Sequence, residues 1–158
     1  MSKGVVRVFE RQFVAGWGDM DFNSHMKNTA FLDKSADVRM MFFSENGFPM
    51  EEFVRRKIGP VIRKDEIEYF KEVRLLEALR VTLTIAGLAE DGSRFLMRNE
   101  FWRADETMIA KVTSSGGWLD LTSRKLVVPP DALLAALRSL PQTEDFQILP
   151  SSVMSVGG

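Results

Sequence analysis

The sequence predicts an α+β fold, with an antiparallel sheet wrapped around one long helix. Three observations carry this. A single long helical pattern, at residues 28–46, sits between a first strand and a run of later strands. From residue 61 onward the hydrophobic period changes to two, the period of a strand. Strands and helices do not alternate, which disfavours a doubly wound parallel sheet. The length of 158 residues is that of one domain, expected over 1–140 and followed by a partly disordered tail over 141–158.

Each element has its own local reason. Residues 5–15 set Val6, Val8, Phe13 and Val14 among Arg7, Glu10 and Arg11, a pattern suited to a half-exposed strand. From Gly16 to Lys27 the chain turns to Gly, Asp, Asn and Ser, which favour turns and helix caps. The helical stretch that follows lacks Gly and Pro, carries Phe31, Val38, Met41 and Phe42 on roughly one face, and stops at Asn46-Gly47 ahead of Pro49. Its second half is apolar almost all round, which predicts burial on most sides. A short second helix is expected over 51–56.

Four strands in a meander should come next. Residues 62–73 mix charge with Ile67, Tyr69 and Val73, and Leu79, Val81, Leu83 and Ile85 then alternate with Arg80, Thr82 and Thr84. Asp91-Gly92 marks a hairpin into residues 94–103. Asp105-Glu106 marks another reversal into 108–121, where Gly116-Gly117 predicts a bulge or a close backbone approach. Pro129-Pro130-Asp131 opens a short helix with Ala132, Leu133, Ala136 and Leu137 as its apolar stripe.

Composition narrows the chemistry. There is no cysteine and one histidine, His25, so disulfides, Cys nucleophiles, thiolate zinc sites and multi-His metal sites within one chain drop out. With 21 Lys+Arg against 22 Asp+Glu, nothing draws the chain to nucleic acid. The first residues carry a charge every few positions, unlike a signal peptide. No stretch approaches the ~20 apolar residues of a membrane span, so a soluble, cytoplasmic protein with no membrane partner is expected, acting on a small molecule or another protein.

The loop Trp17-Gly18-Asp19-Met20-Asp21-Phe22-Asn23-Ser24-His25-Met26-Lys27-Asn28 concentrates two carboxylates and the histidine ahead of a buried helix. A helix N-terminus presents unpaired N–H groups that can hold an oxyanion, and a carboxylate just upstream can serve as base or nucleophile. The plainer reading makes these residues caps and turn formers, and the helix Met and Phe residues core. Asp19 and Asp21, with no third ligand in sequence, make a weak metal signal, and no metal is expected.

The motif Trp-Gly-Asp-Met-Asp with Ser-His-Met-Lys-Asn, then Phe31-Leu32, Arg39 and Gly47, resembles the start of the hotdog-fold acyl-CoA thioesterases of the 4-hydroxybenzoyl-CoA thioesterase family. Pro60-Val61, Tyr69-Phe70 and the stretch from Trp118 to Pro129 continue the likeness, which covers residues 6 to about 138. It implies a five-stranded antiparallel sheet around the helix and a homodimer, alone or as a dimer of dimers (a homotetramer), sharing active sites between chains. It places the catalytic carboxylate on Asp21 and the oxyanion-holding backbone N–H on Asn28, with Asp19 in loop structure. His25 and Phe31 then face the substrate, an acyl-CoA, with coenzyme A entering as part of that substrate and no cofactor needed. Arg94 and Arg98 are the basic residues expected to meet CoA phosphates. Departures are Ser24 for the family's loop Gly, Lys27 for the first Asn and Phe31 for the helix Tyr. Two other readings stay open: an enoyl-CoA hydratase or dehydratase, against which the Asp21-Asn23-His25 spacing argues, and a noncatalytic acyl-CoA-binding protein, which has no evident need for Asp21.

Overall fold

Residues 28–46 form the axis around which the chain is built. In a computed structural model describing residues 8–153, helix α1 spans Asn28–Glu45 and buries Phe31, Val38, Arg39, Phe42 and Phe43 against the sheet. It ends where the sequence predicts. Asn46 caps it by donating from Nδ2 to the Phe42 carbonyl at 2.8 Å, and Gly47 turns away at φ +91°, a left-handed conformation natural to glycine. Pro49 then opens α2 (Met50–Arg56), which seats Phe53 in the core.

The sheet comprises β1 (Phe9–Val14), β2 (Ile58–Tyr69), β3 (Ala78–Ala89), β4 (Arg94–Arg103), β5 (Met108–Asp120), β6 (Leu126–Val127) and β7 (Gln142–Leu149), with a third helix α3 (Asp131–Ser139) after β6. Five strands are ordered β1-β3-β4-β5-β2 and pair antiparallel throughout. This corrects the expected four-strand meander, because only β3, β4 and β5 follow one another. β1 already occupies the edge of β3 from Leu83 to Ala78. The β2 strand, whose charges suit an edge, therefore finds its partner at β5.

The sheet also exceeds the five strands expected. β6 adds to β5. The 141–158 tail contains β7, which runs parallel to β3 over Gly87–Ala89, beyond the stretch paired with β1. An open strand edge of unpaired N–H and C=O groups invites such an addition, and Phe146 anchors it against the core. The expected disorder near the end and the first residues of the first strand include positions 154–158 and 5–7, which lie outside the described residues.

Gly116 and Gly117 interrupt nothing. They let strands approach: a Cβ at Gly116 would sit 2.2 Å from the Val61 carbonyl oxygen, and one at Gly117 2.6 Å from that of Ser93. The irregularity lies across the ladder, where the register shifts between Ile62 and Lys64. Next to these glycines Trp118, fully buried, stacks on Phe53 at 6.2 Å and meets Phe43 at 5.6 Å and Phe95 at 5.4 Å. Its indole N–H donates to the Gly92 carbonyl at 3.0 Å, satisfying the one polar atom of the cluster. Helix α3 closes the far end with Leu133, Ala136 and Leu137, while Ala132, expected on that stripe, is exposed.

One buried charge ties helix to sheet. The Arg39 guanidinium donates from Nη1 to Ser114 Oγ at 3.0 Å, and that hydroxyl donates to Asp65 Oδ1 at 2.5 Å. Burial lowers the Arg39 pKa and the nearby Asp65 carboxylate opposes the shift, the compensation a buried cation requires.

Candidate active site

The loop from Gly16 to Lys27 is held by its own carboxylates. A short 3-10 turn at Trp17–Asp19 closes when Asp19 Oδ2 accepts the Gly16 N–H at 2.8 Å. The same oxygen lies 3.1 Å from Lys34 Nζ on α1. Burial alone would raise the Asp19 pKa, but the Gly16 N–H and the Lys34 ammonium outweigh it and hold the carboxyl below its ordinary value. Asp19 is thus a structural clasp, as expected.

Asp21 is used differently. Its Oδ1 accepts two backbone N–H groups, from Asn23 at 2.9 Å and His25 at 3.1 Å. Its own N–H donates to the His25 carbonyl at 2.8 Å, and its carbonyl accepts from Ser24 at 3.0 Å. These bonds draw residues 21–25 into a tight reversal in which Ser24 adopts φ 63°, the left-handed region where the resembled family has glycine. Among the described residues Oδ2 of Asp21 has no hydrogen-bond partner. One oxygen organises the loop and the other makes no hydrogen bond within the described residues.

The reversal delivers the chain to the start of α1. Ala30 and Phe31 donate to the Lys27 carbonyl at 3.0 and 3.4 Å, and Thr29 donates to the Asn28 side chain at 2.9 Å. The Asn28 N–H has no acceptor among the described residues, as expected of an orphan donor in a first helical turn. A cavity of about 560 Å³ opens here, and its walls include Asp21, His25, Lys27, Asn28, Phe31, Tyr69, Phe70 and Glu72. Four of the residues singled out from the sequence, Asp21, His25, Asn28 and Phe31, therefore meet at one site. Phe31 is its apolar floor: almost fully buried, it makes edge-on contacts with Phe101 at 5.0 Å and Tyr69 at 5.5 Å.

The far wall comes from the connection between β2 and β3. His25 pairs as an isolated antiparallel bridge with Arg74, and Met26 donates to the Val73 carbonyl at 3.0 Å. Across that bridge His25 Nε2 lies 3.1 Å from Glu72 Oε2. Glu72 is not legible in the sequence because it sits in a charged stretch that reads as a solvated strand face, and no local pattern shows that the chain crosses back over the loop there.

Arg94 and Arg98 stay apart from this site. Neither lines the cavity. Arg98 donates from Nη1 and Nη2 to the two carboxylate oxygens of Asp145 on β7 at 2.9 and 3.1 Å, and from Nε to Thr113 Oγ1 at 3.0 Å. A bidentate pair of this kind satisfies both partners, and it holds the Asp145 carboxyl far below the usual range. Arg94 stands at the start of β4, opposite Gly117.

Comparison with known proteins agrees with this architecture. The structure of SAV2348 from Staphylococcus aureus in complex with CoA superposes with a TM-score of 0.79 at 16% identity, covering 89% of this chain and 90% of that one. A 1,4-dihydroxy-2-naphthoyl-CoA thioesterase from Synechocystis gives 0.74 at 17% identity, over 84% and 96% of the two chains. The gentisyl-coenzyme A thioesterase BH1999 gives 0.72 at 18%, over 81% and 98%. No curated protein matches by sequence. A model of the thioesterase-like superfamily matches residues 15–137, from just after β1 into α3. That match spans the loop, the long helix and the strands β2 to β5, so the chain is a hotdog-fold member of the thioesterase-like superfamily.

Proposed function

We propose that the protein is an acyl-CoA thioesterase in which Asp21 supplies the reactive carboxylate and the Asn28 N–H holds the oxyanion. The observation that carries this is the meeting, at one cavity, of a carboxylate oxygen without a partner and a helix N-terminal donor without a partner. The named activities of the structural relatives and the superfamily match support the same class of reaction.

With the thioester carbonyl oxygen at the Asn28 N–H, charge developing on that oxygen meets a preorganised donor and the positive end of α1. Asp21 Oδ2 then acts in one of two balanced ways. As nucleophile it bonds to the carbonyl carbon, the C–S bond breaks, the thiolate leaves, and water hydrolyses the resulting mixed anhydride. As base it takes a proton from water, whose oxygen bonds to the same carbon; the C–S bond breaks and the proton passes from Asp21 to the departing thiolate. In both, products are a carboxylic acid and CoA. Phe31 and Tyr69 give the acyl group an apolar wall.

The reading includes a homodimer. It is supported by β2, a twelve-residue strand whose outer edge has no partner strand among the described residues. No described helix is long and apolar enough to cross a membrane.

The test is release of free thiol from a panel of short, medium, long and aromatic acyl-CoAs by wild type and Asp21→Asn. Loss of a positioned base or nucleophile lowers the rate by about 100-fold or more. Thiol release at wild-type rates in the variant would refute the assignment, and hydration of crotonyl-CoA without thiol release would replace it with a hydratase.

A further inference from the structure

The cavity at Asp21 continues into a second one. The adjoining cleft, of about 550 Å³, is lined by Lys71, Glu72, Arg74, Glu77 and Arg103, and it shares Lys71 and Glu72 with the first. Its charges are not balanced where they matter. Glu77 is committed twice, to the Arg103 guanidinium and, at 3.1 Å, to the Arg74 backbone N–H. Glu72 faces His25 at 3.1 Å. Arg103 is further fixed by donating from Nη2 to the Glu72 carbonyl at 2.7 Å. Both acids and one of the three cations are therefore spoken for within the fold. The side chains of Lys71 and Arg74 have no acceptor among the described residues, and Lys27, on the wall of the first cavity, is in the same position.

We propose that Lys71 and Arg74 form the subsite for the phosphate groups of the CoA nucleotide, in the place that the sequence alone had assigned to Arg94 and Arg98. The inference rests on the thioesterase reading for the direction of the ligand. A thioester whose carbonyl sits at Asn28 and whose acyl group lies on Phe31 sends its other arm, which ends in phosphates, past Glu72 into the second cleft. A phosphate there meets an ammonium and a guanidinium whose charge the protein does not otherwise neutralise, the donor set that recognises such an anion. The chain as a whole is slightly acidic, with a net charge of −1, so this attraction is local. By contrast Arg98 already holds a carboxylate in both of its forks. A phosphate would have to displace Asp145 to reach it.

The test compares CoA with pantetheine, which carries the thiol arm and no phosphate, by titration calorimetry on wild type and on the double variant Lys71→Gln/Arg74→Gln. Wild type is expected to bind CoA more tightly, and the double variant to lose about tenfold or more of that preference, the effect of about 1.4 kcal/mol of charge-assisted bonding. Added salt should erode the wild-type preference in the same direction. An undiminished preference in the double variant overturns the proposal, as does wild-type protein that binds the two compounds equally or binds neither. Arg94→Gln/Arg98→Gln is the counterpart: if it removes the preference instead, the subsite lies on β4. The two readings fail separately. A CoA preference that depends on Lys71 and Arg74 without any thiol release from acyl-CoA keeps the subsite and discards the hydrolase, while thiol release with equal rates on acyl-CoA and acyl-pantetheine does the reverse.

Discussion

The two ends of helix α1 are secured by opposite means. Its C-terminal half is gripped by rings: Phe42 and Phe43 meet Phe9, Phe53 and Trp118 at centroid distances of 5.2 to 5.9 Å. Its N-terminus is held by hydrogen bonds from a loop that folds on its own carboxylates, Asp19 to Gly16 and Lys34, and Asp21 to Asn23 and His25. Apolar packing is dense and indifferent to direction, so it supplies stability. Hydrogen bonds are directional, and at this helix start they leave the Asn28 N–H over, the donor on which the proposed reaction rests. On the proposed function, stability and chemistry are therefore divided along a single helix.

Substitutions at the two ends should therefore separate the two properties. The largest effect is expected at the aromatic end. Trp118→Ala empties a fully buried site and should cost about 3–5 kcal/mol of unfolding free energy, read by urea denaturation, with thiol release per folded molecule little changed. A proportional fall in activity per folded molecule would erase the distinction.

At the other end, Asp19→Asn weakens the clasp between the loop and Lys34 and should cost about 1–2 kcal/mol at pH 7, the lower part of the range for a hydrogen bond to a charged group because the carboxylate is partly exposed. Its pH dependence identifies it. The folded pKa of Asp19 lies below the ordinary 3.8, so the stability its charge contributes is fully present above 3.8 and is lost as pH falls through the lowered folded value. The gap between wild type and variant should narrow over that acid range, and a gap that persists at low pH would assign the loss to packing.

The smallest effect belongs to the far wall. His25 and Glu72 are both well exposed, so Glu72→Gln should reduce kcat/KM by no more than about fivefold, the range of a solvent-exposed polar contact. A loss of a hundredfold would show Glu72 acting on the reacting atoms directly.

What could be read from the sequence follows the same division. The helix, its stop at Asn46-Gly47, the Asp91-Gly92 hairpin and the acidic loop are all written in residues a few positions apart, and the structure has each of them. Asp21, Asn28, His25 and Phe31 belong to one local motif and arrive at one cavity. What was not legible depends on distant pairings. The charges of residues 63–68 mark an edge strand, but not that the edge is beside β5. Gln142–Leu149 is too polar to announce a strand, and becomes one because β3 outruns β1. Arg98 reads as free until Asp145, 47 residues on, closes over it. Glu72 reads as solvated until the crossover brings it to His25.

The unequal use of the two Asp21 oxygens governs which replacement asks a clean question. An asparagine there has one oxygen and one amide group to distribute. Two backbone N–H groups wait at the Oδ1 position, and only the oxygen can accept them, so the amide group is forced to the Oδ2 side. The side chain would then keep the loop closed while presenting a hydrogen-bond donor where an electron pair had been. Alanine would leave both N–H groups without a partner and let residues 21–25 open, so its inactivity would confound lost shape with lost chemistry. At this position the near-isostere is the more informative lesion, because the protein itself dictates which way round it sits.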